Sequence, residues 1–348
     1  MTRKNQRGIS LVEIMVSLVS GLILTAGVIQ IYTANKQTYR VNDASARIQE
    51  NVRFAMELLA RDLRMAGYDG CAGSARILVN TLNDTSSFLY NFDNAIYGFE
   101  ATSDSAWTPA VDPSITSPLG GRDIVSIRGT FGGGVAITGQ PKSPNPSSPD
   151  YDPDVCKTSS SFAADLKVSD ASEFDDGDIV IAGNCSRASI FQITNVNLGE
   201  NVVHNTGAGS PGNATKNLGA CYAGKGSLTK ITTRSYYIRN NAAGVPALYR
   251  KDGTRDAEEL VAGIEDMQIL YGVDTDGDES ANQFLRANDV TDWSRVTSAR
   301  ISLLLRSSED NITTDSQSYT YNGSTSTPAD RRLRRVFTTT ISLRNRLP

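Results

Sequence analysis

Asp274, Asp276 and Asp278 alternate along the segment VDTDGDES, with Gly277 between the last two and Glu279 after them. Carboxylates at every second position could share a hard, oxygen-seeking cation such as Ca²⁺. The glycine and the terminal glutamate miss the EF-hand spacing, so we favour a solvated Asp-Gly turn between strands, with Ca²⁺ as the alternative. Four cysteines, Cys71, Cys156, Cys185 and Cys221, form no CxxC pair, and the single histidine, His204, lies beside none of them. A zinc site is therefore poorly supported; in a translocated chain two disulfides fit better, with three connectivities open. His204 has no catalytic partner nearby and reads as a surface or loop histidine. The run GAGSPG at 207–212 satisfies G-x-G-x-x-G literally. Its Pro211 and the lack of a following helix make it a loop rather than a dinucleotide cradle. With no GxSxG or HExxH present, we expect neither an enzyme nor a cofactor.

The remaining chemistry is one acid in an apolar run. Residues 9–32 read ISLVEIMVSLVSGLILTAGVIQIY, 24 residues in which Glu13 is the only charge. About 20 apolar residues suffice to cross the hydrocarbon core as a helix. No second stretch of this kind exists, so the chain has one anchor and everything after it lies on one side. The preceding MTRKNQRG carries three positive charges and should stay cytoplasmic. A conventional secretory signal cleaved near Ala26 and Gly27 is the rival; the run continuing to Tyr32, and Glu13 near its start, weigh against it. Gly8 allows the backbone to lie extended in a peptidase cleft. A carboxylate in hydrocarbon costs about 2.5–3.5 kcal/mol at mid-membrane, so Glu13 is expected to have a partner rather than merely to snorkel.

The sequence RGISLVE at 7–13, followed by an apolar helix, resembles the class III signal of type IV prepilins and pseudopilins. That resemblance implies cleavage between Gly8 and Ile9 by a prepilin peptidase on the cytoplasmic face, and N-methylation of Ile9. It also implies that Glu13 meets the N-terminal amine of a neighbouring subunit and sets axial register. Most members of that family have Phe where this chain has Ile9.

These residues need elements to hold them. Beyond Tyr32 the chain turns polar without a breaker, and Ile48, Val52, Ala55, Leu59 and Leu63 recur on one helical face. Arg53–Glu57 and Glu57–Arg61 are i,i+4 pairs on the other face, and Gly67 is a C-cap. The spacing predicts one helix over 9–67, about 87 Å long at 1.5 Å per residue. Its first half lies in the membrane and its second half packs under a head. From Cys71 on, short strands are expected at 123–128, 178–182, 189–196, 235–239, 247–250, 267–273, 299–306 and 336–343. A hairpin is expected over 236–249, a helical turn at 257–266, and surface insertions at 132–161 and 307–330. Arg331, Arg332, Arg334 and Arg335 read as charges on the open face of a terminal strand, or as a contact for lipid headgroups or an acidic partner.

Segments 60–71, 177–185, 233–240, 260–278 and 334–346 resemble the PilW minor pilins. The two ends and much of the middle are covered; the insertions are not. Because GYDGC and GNC lie in those segments, the resemblance favours a Cys71–Cys185 bond, leaving Cys156 and Cys221 for the second.

The expectation is an α+β chain with the type IV pilin fold: leader 1–8, helix 9–67, and a β-rich head 68–348 with loop insertions. It implies a minor pilin of the priming or tip complex of a type IV pilus, serving twitching motility, adhesion or DNA uptake. Partners would be other minor pilins, the major pilin, the prepilin peptidase and a tip adhesin. The protein would sit in the inner membrane with a periplasmic head, then at the tip of an extracellular pilus. A J-type pseudopilin of type II secretion is the first alternative and a membrane-anchored periplasmic binding domain the second. The net charge of −4, becoming −7 once Arg3, Lys4 and Arg7 leave with the leader, argues against direct nucleic-acid binding.

Overall fold

The computed structural model describes residues 10–68, 77–140, 164–197, 199–207 and 209–343. Gly8, Ile9, Cys71 and Cys156 lie outside the described residues. The architecture is mixed α+β: one long N-terminal helix followed by a large β-rich region.

Helix α1 runs over Leu11–Arg64, 54 residues without a proline. Three hydroxyl side chains on it find partners one turn back: Ser17 donates to the Glu13 carbonyl, Thr25 to Gly21 and Thr33 to Ile29, so these three need no water. From Ala44 onward one stripe is buried: Ala44, Ile48, Val52, Ala55, Leu59, Leu63 and Ala66. That is the face expected from the spacing. The helix ends in a turn closed by Gly67, whose φ of +73° is a conformation glycine adopts without strain.

Two compact units make up the described chain: residues up to 50 with 306–335, and 51–305 with 336–343. The first combines the N-terminal part of α1 with a small lobe. Its hairpin pairs Tyr319–Tyr321 with Ser324–Ser326, and Asn322 and Gly323 between them both have positive φ, the Asn-Gly turn whose twist matches a hairpin. The segment 307–330, expected as an insertion, thus carries structure of its own.

The second unit is built on the strand Gly226–Asn240. It pairs antiparallel with Ile124–Thr130, Val135–Gly139, Ile179–Gly183 and Pro246–Asp252, inside a sheet of 13 strands among the described residues. A four-stranded sheet orders Gln283–Leu285, Ile264–Val273, Val296–Arg306 and Arg334–Ser342. One core gathers Phe174, Phe191, Tyr222 and Leu228, and another gathers Phe99, Ile124, Tyr237 and Tyr249.

All eight expected strands occur, most shifted by a few residues. The largest shift is at 235–239, where the strand begins at Gly226 because polar Thr229, Lys230, Thr232 and Thr233 hide its start from hydropathy. The expected hairpin forms, with Tyr237 opposite Tyr249. The helical turn at 257–266 is overturned. Glu258–Ala262 and Ile264–Val273 are strands broken at Gly263, with φ +85°. Val261 and Ile264 are buried there, and cross-strand packing overrides the helix-forming Glu and Ala. Within 132–161 the described part contains the strand Val135–Gly139.

Candidate functional site

The apolar half of α1 is the first element to place. Every large apolar side chain named along it, from Leu11 through Ile31, is exposed, as is Tyr32. An 18-residue window there has a mean hydropathy of 2.2 with none of it buried, which is long and apolar enough to cross a membrane. Glu13 stands in the first turn, where a negative charge suits the positive end of the helix dipole. Glu13, Ser17, Gly21 and Thr25 follow one another at four-residue spacing and border an open concavity with Ile14, Leu18 and Leu22. Nothing lies within 4 Å of where a Gly21 Cβ would stand. Such a line of small residues lets a second helix approach closely. This face offers one acid and a shallow groove in an otherwise apolar surface.

The other end of α1 is fastened to the strands of the second unit. The Gly67 amide donates to the Arg128 carbonyl at 2.7 Å and the Thr130 amide to the Tyr68 carbonyl at 3.0 Å. At neighbouring Gly129 a Cβ would stand 3.0 Å from the Met65 carbonyl oxygen, so the close approach favours glycine. Deeper in, Asp62 is only 2% exposed. Arg234 Nη1 donates to its Oδ2 at 2.7 Å, the Tyr236 hydroxyl donates to the same oxygen, and Arg61 Nε reaches Oδ1 at 3.0 Å. Arg234 also grips Asp252 through two hydrogen bonds of 2.7 and 2.6 Å and lies 3.8 Å from the centre of the Phe131 ring. Burial alone would raise the Asp62 carboxyl, but the Tyr236 hydroxyl and the Arg234 guanidinium outweigh it and hold it below its ordinary value. Sequence reasoning missed this cluster. The available signal was an aspartate within the otherwise apolar stripe of Leu59 and Leu63.

A second set of acids is buried between strands. Asp123 accepts the amides of Ala101 and Ile269 at 3.0 and 2.8 Å. Burial, reinforced by nearby Glu100, pushes it up to about 7. Glu100 is raised too, chiefly by burial, although Arg286 sits 3.2 Å away.

The residues singled out from sequence fall in separate places. Among the described cysteines, Cys185 and Cys221 are both disulfide-bonded. Asp274, Asp276 and Asp278 each bring one carboxylate oxygen within 4.8 Å of the others. Their loop joins Ile264–Val273 to its antiparallel neighbour Gln283–Leu285. Asp274 accepts the amides of Gly277, Glu279 and Asp276 at 2.7, 3.0 and 3.1 Å, and the Gly277 amide foremost lowers its pKa. A cation would have to compete with those amides.

His204 is not a surface residue. It is 2% exposed, with its ring 4.9 Å from that of Phe191, and burial lowers its pKa to about 4. Its backbone is loop, as one half of the expectation had it, directly after the strand Asn201–Val203, but its ring turns into the core. Among the described residues the GAGSPG run is loop, with a cis Ser210–Pro211 bond. The arginines do not all line an open strand face. Arg334 is 3% exposed and makes a two-pronged bond to Asp330, whose carboxyl is drawn down to about 2, mainly by Arg334.

With this geometry in place, the comparison with known families is informative. Residues 235–345 match the PilW family model, type IV pilus-assembly protein W. The match supports the PilW assignment and implies a part in type IV pilus assembly, a structural rather than an enzymatic family role. The matched PilW span runs from the central strand through the acidic loop to the terminal strand, and it includes Tyr236 and Asp252 of the Asp62 cluster. No curated protein and no solved structure matched the chain.

Proposed function

We propose that the chain is a minor pilin of a type IV pilus, working in the complex that primes assembly and then caps the tip. The PilW match over 235–345 carries this reading. An exposed apolar helix bearing a single acid supports it, since that is the element a filament subunit would bury. On this reading a prepilin peptidase cuts between Gly8 and Ile9, Ile9 is N-methylated, and Glu13 pairs with the N-terminal amine of a neighbouring subunit. The pair would offset the cost of a carboxylate in hydrocarbon. The large β-rich head suits a cap better than a repeating shaft subunit, because its bulk would crowd helical packing. Cys71–Cys185 and Cys156–Cys221 are the proposed disulfides. The head would be periplasmic, and the partners would be other minor pilins, the major pilin and a tip adhesin.

The test is piliation in a strain deleted for this chain and complemented with wild type or with Glu13→Ala. We expect Glu13→Ala to accumulate in the membrane while surface pili fall to the deletion level. Normal piliation in both the deletion and the Glu13→Ala strain would overturn the proposal.

A further inference from the structure

Where the lobe of the first unit meets α1 has a consequence for the membrane-embedded protein, provided the apolar half of α1 is read as a bilayer span. That half ends at Tyr32. The first lobe contact follows five residues later, where the Gln37 amide donates to the Ile312 carbonyl, about 7.5 Å farther along the helix axis. One turn higher, Arg40 Nη2 reaches the Asp310 carbonyl at 3.5 Å and lies 3.7 Å from the Glu309 carboxylate. Over 310–312 the lobe's chain therefore runs antiparallel to α1, with Asp310 beside Arg40 and Ile312 beside Gln37, descending toward the span. The headgroup layer outside the hydrocarbon is about 5–7 Å thick on each side. Thr313–Asp315, a bend in the chain, follow at the span-facing end of this run, next to that layer.

The descending tip is built to hold its shape. Ile312 is buried, and the amides of Ile312 and Thr313 both donate to the Arg331 carbonyl, at 2.9 and 3.0 Å. The Thr313 hydroxyl bridges to the Asp315 carbonyl at 2.7 Å. Arg331 spreads its guanidinium over the tip, donating to the Thr314 carbonyl and to the Asn311 side chain. Both are neutral oxygens, so the cation remains available to an anion. Between the span and that contact α1 exposes Tyr32 and Lys36. Aromatic side chains and cations of this kind settle where a helix leaves a bilayer, the rings at headgroup depth and the cations against phosphates.

We propose that the 306–335 lobe is a membrane-surface collar, whose tip at 313–315 rests on phospholipid headgroups and limits how far α1 sinks into the bilayer. A filament neighbour at the same tip is the competing partner. The level and direction of the tip favour the membrane for the subunit before it is extracted.

The test places a photoreactive benzoyl-phenylalanine at Ile23, at Thr314 or at Gln49 of the full chain in phosphatidylglycerol–phosphatidylethanolamine nanodiscs. All three side chains are exposed, and Gln49 lies about 26 Å beyond Tyr32 along the helix. Thr314 spends only one side-chain bond, to Asp315; a second probe at exposed Ser316 covers its loss. The proposal expects lipid adducts at Ile23 and at Thr314 or Ser316, and none at Gln49. Adducts at Ile23 alone would overturn the collar and leave the span intact. Adducts from the tip to protein rather than lipid would overturn it in favour of a neighbouring subunit. No lipid adduct at Ile23 would remove the membrane reading itself, and the collar with it.

Discussion

Replacing Asp62 with alanine should loosen the joint between the end of α1 and the central strand of the second unit. The carboxylate is 2% exposed and receives Arg234, Tyr236 and Arg61. Removing it strands the Tyr236 hydroxyl and one nitrogen of Arg234 away from water. Breaking a buried pair by deleting one partner costs about 3–5 kcal/mol, most of it from the charge left behind. Here Asp252 still holds Arg234 through two bonds, so the cation is not abandoned and the low end applies, about 3 kcal/mol. For a unit of this size that corresponds to a fall of about 6–12 °C in Tm. The assay is thermal unfolding of the full chain in detergent, followed by tryptophan fluorescence.

Asp62→Asn keeps the shape and one accepting oxygen and should lose about half as much. Because the native carboxyl lies below its ordinary value, its contribution is present above the unfolded pKa of about 3.9 and is lost as pH falls through the folded value. The gap between wild type and Asp62→Asn should therefore close on acidification. An Asp62→Ala protein with wild-type Tm, or a gap that widens in acid, would refute the reasoning.

Asp123 should behave in the opposite sense. Its folded pKa of about 7 lies above the unfolded value, so it favours folding only while protonated. Its stabilisation fades as pH rises from about 4 to 7, by about 2–4 kcal/mol in all. Asp123→Asn should gain in Tm relative to wild type between pH 5 and pH 8, and a constant difference would contradict this. Gly98→Ala would set a Cβ 2.2 Å from the buried Tyr271 hydroxyl. The overpacking should cost about 1–3 kcal/mol in denaturant unfolding, with partial recovery in a Gly98→Ala, Tyr271→Phe double variant. Because the loop amides already occupy Asp274, adding millimolar Ca²⁺ or a chelator should leave the unfolding temperature unchanged. A clear rise with Ca²⁺ would make the acidic loop a metal site.

The parts of the fold that were readable from sequence are those governed by local rules. The stripe from Ile48 to Leu63 specified the buried face of α1, and the alternating segments around Tyr237 and Tyr249 specified the hairpin. What stayed hidden depends on contacts distant in sequence. Asp62 and Arg234 are 172 positions apart; an aspartate in the apolar stripe marks one partner, but nothing local identifies the other. Nothing in their immediate sequence places His204 or Arg334 in the interior; packing on Phe191 and pairing with Asp330 arise only in the folded chain. The segment at 257–266 misled for the converse reason, since its Glu and Ala favour a helix locally while Leu248 and Val261 pair across strands. In the candidate site, Glu13 and its apolar helix were legible because composition alone marks a lone charge in such a run.

The most direct measurement is the N-terminal mass of the protein recovered from membranes, with and without the prepilin peptidase. The account predicts a peptide beginning at methylated Ile9 that disappears when the peptidase is absent. An intact Met1 start in both strains, or a terminus near Ala26, would contradict it.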